Sequence, residues 1–250
     1  MMKMDNEIKT LCRQLRLPGV YQSYQSIAED FKDPEDFLFQ ILNAEVKSRE
    51  TRRIERSINQ AGFPAFKKFE EIKRDMLPKD GKEAFEKIKN LAFLKEDRNL
   101  ILIGNSGTGK THLAIAAGIA ACENGYSVYF RTAAGIINDL KEAKKELRLS
   151  KFEKRFRKMD LVIIDELGYI SFDEEGAELL FQFLALRYEH KSTIITTNLT
   201  FSDWIRIFHD KAITTAILDR VTHHAVIINM TGKSYRQREF VATNKNNEDI

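Results

Sequence analysis

Gly104-Asn105-Ser106-Gly107-Thr108-Gly109-Lys110-Thr111 is the stretch on which the fold turns. It fits the phosphate-loop pattern G-x-x-x-x-G-K-[S/T], which chance would place in roughly one chain in a hundred of this length. The apolar run Asn99-Leu100-Ile101-Leu102-Ile103 leads in as a buried strand, and the alanine-rich stretch from His112 to Cys122 leads out as a helix. Three glycines let successive backbone N–H groups curl around an anion, and the helix start adds unpaired N–H groups and a positive dipole end. Lys110 is placed to reach β- and γ-phosphates, and the Thr111 hydroxyl to ligate Mg2+. The bland alternative is a glycine-rich turn with no ligand, and the flanking strand and helix argue against it.

Working outward, strand and helix patterns alternate from Asn99 on, which predicts a parallel sheet with helices on both faces, an α/β class. Gly125 closes the loop's helix, Tyr126 to Arg131 is the next strand, and Ala133 to Leu147 is a helix ending in a mixed Lys/Glu face. Leu161-Val162-Ile163-Ile164 is a buried strand that delivers Asp165-Glu166 at its C-terminal end, where ligands sit in open α/β sheets. Asp165 is the candidate Mg2+ ligand and Glu166 the candidate base that polarises an attacking water; a solvated acidic turn is the weaker reading. A helix covers Asp173 to His190, and Thr193 to Thr197 is a β-branched strand ending at Asn198. Asn198 is placed to orient the water or touch the γ-phosphate, although a polar residue there also serves as a plain turn former. Two helices span residues 201–222, and Ala225 to Met230 is a last strand. Arg220 reads either as a surface partner of Asp219 or as an arginine finger reaching a neighbouring subunit's γ-phosphate.

Upstream, residues 1–69 read as a small helical domain and 70–97 as a charged helical bridge into the ATPase domain of residues 70–250, with 244–250 a loose tail. Pro18-Gly19 breaks the first helix, Asp33-Pro34 caps and starts another, and Gly62-Phe63-Pro64 ends it. Arg49, Arg52, Arg53 and Arg56 gather on one side of that helix. They are either a solvated face tempered by Glu50 and Glu55 or phosphate contacts, for which the guanidinium fork is suited. A second basic cluster, Gly232 to Arg238, includes Lys233 and Arg236; nucleic acid, nucleotide and plain surface stay open as its role.

The net charge of +3 permits an anionic partner without demanding one. Cys12 and Cys122 are too few for a disulfide framework or a four-cysteine zinc module, and suit a reducing compartment. No signal peptide is visible, and no apolar run reaches the roughly 20 residues of a membrane span, so the chain is expected to be cytoplasmic, with no membrane partner.

Together these motifs carry a resemblance. The glycine loop with His112-Leu113-Ala114, Asp165-Glu166-Leu167-Gly168-Tyr169, Arg187-Tyr188-Glu189 and Thr196-Thr197-Asn198 resemble the DnaA/DnaC branch of AAA+ ATPases. Leu15-Arg16-Leu17-Pro18-Gly19, Ala61-Gly62-Phe63-Pro64, Asp203-Trp204, Ile217 to Arg220 with His223-His224, and Gly232 to Arg236 narrow it to the IstB family, the ATPase helper of one class of bacterial insertion sequences. The resemblance implies an AAA+ core behind a helical N-terminal domain, with ATP held by Gly104 to His112 at the interface of a homo-oligomer. It also implies binding and remodelling of duplex DNA, and recruitment or activation of a cognate transposase. The nearest rival is a helicase loader of the DnaC type, which preference for duplex over single-stranded DNA would exclude. A static ATP-dependent scaffold would not need both Asp165 and Glu166, and a small-molecule phosphotransferase should ignore DNA.

Overall fold

A computed structural model describes residues 2–30, 33–187 and 191–235. The chain divides into two compact units, Met1–Ser57 and Ile58–Ile250. In the first, α1 (Met2–Gln14), α2 (Pro18–Asp30) and the long α3 (Pro34–Ala61) have the punctuation their sequences call for. Asp33 accepts the Asp36 N–H at 3.2 Å ahead of Pro34, and Gly62 takes a positive φ just past Ala61. Cys12, Gly19 and Ile41 are buried, and so is a carboxylate. Glu45 accepts the N–H groups of Gly19 (2.7 Å) and Val20 (3.2 Å) at the start of α2, and Arg49 Nε donates to it at 2.8 Å.

The second unit begins with two 3-10 turns, α4 (Lys79–Lys89) and α5 (Ala92–Lys95). Residues 70–97 are therefore two short helices rather than one helical run; Pro78 starts the first, and left-handed Leu91 separates them. The strands are β1 (Asn99–Ile103), β2 (Val128–Thr132), β3 (Leu161–Leu167), β4 (Ser192–Thr197) and β5 (Ala225–Asn229). Between them lie α6 (Lys110–Glu123), α7 (Ala133–Lys145), α8 (Leu149–Lys158), α9 (Glu174–Ala185), α10 (Ile205–Phe208) and α11 (Lys211–His223). All pairings are parallel, in the order β2-β3-β4-β1-β5.

Because strand side chains alternate, each buried strand feeds two cores. Leu100, Leu102, Leu161 and Ile163 pack with Leu113 and Ala117 of α6 and Phe85 of α4. Ile101, Val162 and Ile164 pack on the other face with Ile136 of α7, Phe156 of α8, Phe183 of α9 and Ile217 of α11. The sheet thus has helices on both faces, as the α/β reading expects. α8 was not anticipated, because its apolar positions are three among many cations. The expected helix over 173–190 ends at Ala185, and residues 188–190 lie outside the described set. Among the described residues no helix is long and apolar enough to cross a membrane.

Candidate functional site

The phosphate loop joins the C-terminal end of β1 to the N-terminus of α6. Gly109, at φ +95°, supplies the left-handed turn into the helix, a conformation that side chains resist. Gly104 lies against the backbone of Met230 and Thr231; a Cβ there would come within 2.7 Å of the Thr231 nitrogen. Lys110 is almost fully buried, and its Nζ donates to the carbonyls of Gly104 (2.6 Å) and Asn105 (2.7 Å). Thr108 Oγ1 also donates to the Asn105 carbonyl, at 2.9 Å, which closes the loop on itself.

Asp165, 3% exposed, is reached by two hydroxyls: Thr111 Oγ1 from α6 at 2.9 Å and Thr196 Oγ1 from β4 at 2.5 Å. The next residue departs from the strand. Ile164 pairs Ile195 while Leu167 pairs Thr197, so β3 carries one extra residue, a bulge. Glu166 sits in it at φ +60°, and its N–H donates to Thr196 Oγ1 at 2.9 Å instead of joining the ladder. A left-handed non-glycine residue costs of order 1–3 kcal/mol and persists only when its surroundings hold it. Here the bulge leaves the Glu166 side chain exposed beside a buried Asp165, so adjacent carboxylates have opposite surroundings.

A cleft of about 450 Å³ lies over the loop. Ser106 to His112, Glu166 and Thr196 line one side, and Lys67, Ile72, Lys73 and Met76 line another. Tyr235 completes it: its N–H donates to the Gly107 carbonyl at 2.8 Å, and Lys73 Nζ lies 5.9 Å from its ring centroid. His112 Nε2 is 3.3 Å from the Lys68 carbonyl oxygen, and burial holds its pKa below the ordinary histidine value. The distant wall, Tyr235 and Thr196 were not picked out as site residues from the sequence. Separation along the chain hid the wall, and nothing in Thr196-Thr197 tells which hydroxyl faces Asp165.

The other expected site residues are dispersed. Asn198 is exposed just past β4, with its Oδ1 beside Gly168, and does not line the cleft. Arg220 lies near the end of α11, where the Val221 carbonyl accepts from Asn99 Nδ2 at 3.1 Å, at the start of β1. Its guanidinium carbon is 4.4 Å from the Phe181 ring centroid, and its buried Nη1 has no hydrogen-bond partner among the described residues. No ion pair with Asp219 is seen among those residues. On α3, Arg49 is engaged by Glu45 and by the Arg16 carbonyl (3.0 Å), Arg52 by Ser48, and Arg53 lies 3.9 Å from Glu50. Arg56 donates to the Arg52 carbonyl at 3.0 Å and is otherwise exposed, and so is Lys233. Arg236 lies outside the described residues.

Oxygen ligands at the Thr111–Asp165 pair suit a hard cation held partly by substrate phosphates. A loop of inward amides with a buried lysine suits a polyphosphate.

Residues 10–242 match the family model described as IstB-like ATP binding protein. The chain is 36% identical over 240 residues to a protein of Geobacillus stearothermophilus named for ATP binding in insertion sequence IS5376; the match covers 94% of this chain and 96% of that one. It is 35% identical over 238 residues to the corresponding IS21 protein of Pseudomonas aeruginosa, covering 94% and 90%. Among solved structures, AMPPCP-bound DnaA from Aquifex aeolicus superimposes with a TM-score of 0.58 at 20% identity, over 75% of this chain and 56% of that one. A DnaC helicase loader superimposes with a TM-score of 0.52 at 24% identity, over 61% and 91%. The structural likeness identifies the fold, a DnaA/DnaC-like AAA+ core preceded by helices. By sequence, the chain belongs to the IstB-like family of ATP-binding proteins of insertion sequences.

Proposed function

We propose that the protein is an Mg2+-dependent ATPase of DNA transposition that assembles as a homo-oligomer on duplex DNA, remodels it and recruits or activates a transposase. The observation that carries the reading is the pair of dissimilar carboxylates: Asp165 buried and bonded to Thr111, Glu166 turned out into the cleft by the bulge. A single strand end thereby supplies both a metal ligand and a base.

The loop amides from Gly104 to Thr111 would hold the polyphosphate, with Lys110 neutralising charge at the β- and γ-phosphates. Bound Mg2+, held by Thr111 and Asp165, would draw charge from the phosphoryl oxygens. Glu166 would take a proton from the attacking water, and Thr196 would keep it in place by bonding its backbone N–H. Asn198 would orient the water only by turning in from its exposed position just past β4. His112 at the end of the loop, with Lys73 and Tyr235 across the cleft, would border the nucleoside. Arg220 rests on the Phe181 ring, and its buried Nη1 has no hydrogen-bond partner among the described residues, which supports a role at a neighbouring subunit's ATP. The exposed sides of Arg49, Arg52, Arg53 and Arg56, with Lys233 and Arg236, would contact phosphates of the duplex.

Family membership over nearly the whole chain favours the transposition reading over a helicase loader, to which the likeness is one of fold. The test is Glu166→Gln in a phosphate-release assay alongside ATP binding. Turnover should collapse while ATP is still bound; wild-type turnover would remove Glu166 as the base.

A further inference from the structure

Arg220 is held by an aromatic ring rather than by a carboxylate. Its guanidinium carbon lies 4.4 Å from the Phe181 ring centroid, and its buried Nη1 has no hydrogen-bond partner among the described residues. Asp219, the adjacent carboxylate, is exposed and forms no ion pair with it among those residues.

The two helices bring these side chains together. On α11, Ile217 and Val221 recur at i and i+4 and are buried, which leaves Arg220 at the margin of the packed stripe. On α9, Leu180 and Leu184 are buried in the same way, and Phe181 stands half-buried at that margin. These aliphatic side chains belong to one core cluster, so the ring and the guanidinium meet along its rim. The end of α11 is pinned as well. Asn99 Nδ2 donates to the Val221 carbonyl at 3.1 Å, and Asn99 Oδ1 accepts the Thr193 N–H at 2.9 Å, which ties the backbone beside Arg220 to the starts of β1 and β4.

The kind of partner decides what an arginine has left to offer. A carboxylate engages the N–H fork, the same edge that takes phosphate oxygens, and must be displaced before the arginine can act. An aromatic ring attracts the guanidinium through its flat face and uses none of its N–H groups. We infer that Phe181 is a positioning residue of the ATPase reaction: its ring fixes the plane of the Arg220 guanidinium and keeps the fork open for the γ-phosphate oxygens held by a neighbouring copy. A phenylalanine placed only to fill the rim between α9 and α11 would behave differently, because an aliphatic side chain fills it too.

The inference rests on the proposal that Arg220 completes a neighbour's site, and the experiment separates the two. Full-length wild type, Phe181→Leu, Phe181→Met, Phe181→Tyr and Arg220→Ala are compared in phosphate release across a range of ATP concentrations. Binding of a fluorescent ATP analogue is measured in parallel. Both aliphatic variants should lose about 2- to 30-fold in kcat, the range set by a cation–π contact, with KM for ATP and analogue affinity within about two-fold of wild type. Phe181→Tyr, which keeps the ring face, should keep wild-type kcat. Adding Lys110→Ala subunits, which bring an intact finger, should raise turnover per Phe181→Leu subunit, and adding Arg220→Ala subunits should not. Wild-type kcat in both aliphatic variants beside a collapsed Arg220→Ala overturns the positioning role and leaves the finger standing. A raised kcat overturns it too, since the ring would then restrain the finger. Lost analogue binding in the aliphatic variants, or an equal loss of kcat in Phe181→Tyr, overturns it in favour of packing. Wild-type turnover in Arg220→Ala overturns both readings.

Discussion

The two ends of β1 are built differently. At its C-terminal end the polar groups satisfy one another: Lys110 on the loop carbonyls, Thr111 and Thr196 on Asp165, and the Glu166 N–H on Thr196. Five residues back, roughly 15 Å along the strand, Asn99 bridges Val221 and Thr193, and the neighbouring Arg220 rests on Phe181 with Nη1 unsatisfied among the described residues. A buried donor without a partner carries a cost of about 1–3 kcal/mol, which a fold keeps when the group has work elsewhere. Our account of the contrast is that one end forms a nearly complete half-site and the other the completing half of a neighbour's site.

Arg220→Ala should break the contrast most. A finger acting in trans contributes about 10³–10⁵ to turnover, so kcat should fall by about that factor while ATP affinity stays within a few-fold. An equal loss of affinity would place Arg220 in its own chain's binding site. Glu166→Gln comes next, with kcat down about 10²–10⁴ in single-turnover phosphate release and assembly on ATP retained. Thr196→Val keeps the volume but deprives both Asp165 and the Glu166 N–H of a partner; at about 1–3 kcal/mol the drop in kcat should be about 5- to 150-fold. ATP affinity unchanged with kcat reduced would mark Thr196 as positioning the base, whereas wild-type kcat would show the bulge needs no such tie.

The smallest effect should come from outside the sheet. Burial alone would raise the Glu45 pKa, but Arg49 and the Val20 and Gly19 amides outweigh it and hold the carboxyl below its ordinary 4.5. The folded chain therefore binds that proton less tightly than the unfolded one. The resulting stabilisation is complete above that ordinary value and is lost as pH falls through the lower folded pKa. Glu45→Gln should cost about 1–3 kcal/mol at neutral pH in urea titrations and flatten the acid limb, leaving ATPase turnover per folded molecule unchanged.

Much of this was legible from the residues alone. β1, β3 and β4 stood out because strands buried on both faces are continuous apolar or β-branched runs, and the loop residues carry their own spacing rule. The bulge was not legible, because Leu161 to Leu167 looks the same with or without an extra unpaired residue. Nor was α8, in which Leu149, Phe152 and Phe156 are spaced at helical intervals but drowned by cations. Strand order and the wall from Lys67 to Leu77 depend on contacts far apart in sequence. The arginine face of α3 was legible as a face, but not the tie of Arg49 to Glu45 and of Arg52 to Ser48.

The central claim, that ATP is hydrolysed between two copies of this chain, is tested most directly by mixing two inactive variants. Lys110→Ala lacks a working loop but keeps Arg220, and Arg220→Ala keeps the loop but lacks the finger. Each alone should be close to inactive, and an equimolar mixture should recover a substantial fraction of wild-type phosphate release, because some sites then pair an intact loop with an intact finger. A mixture no more active than its components would contradict the account and return Arg220 to a packing role on Phe181.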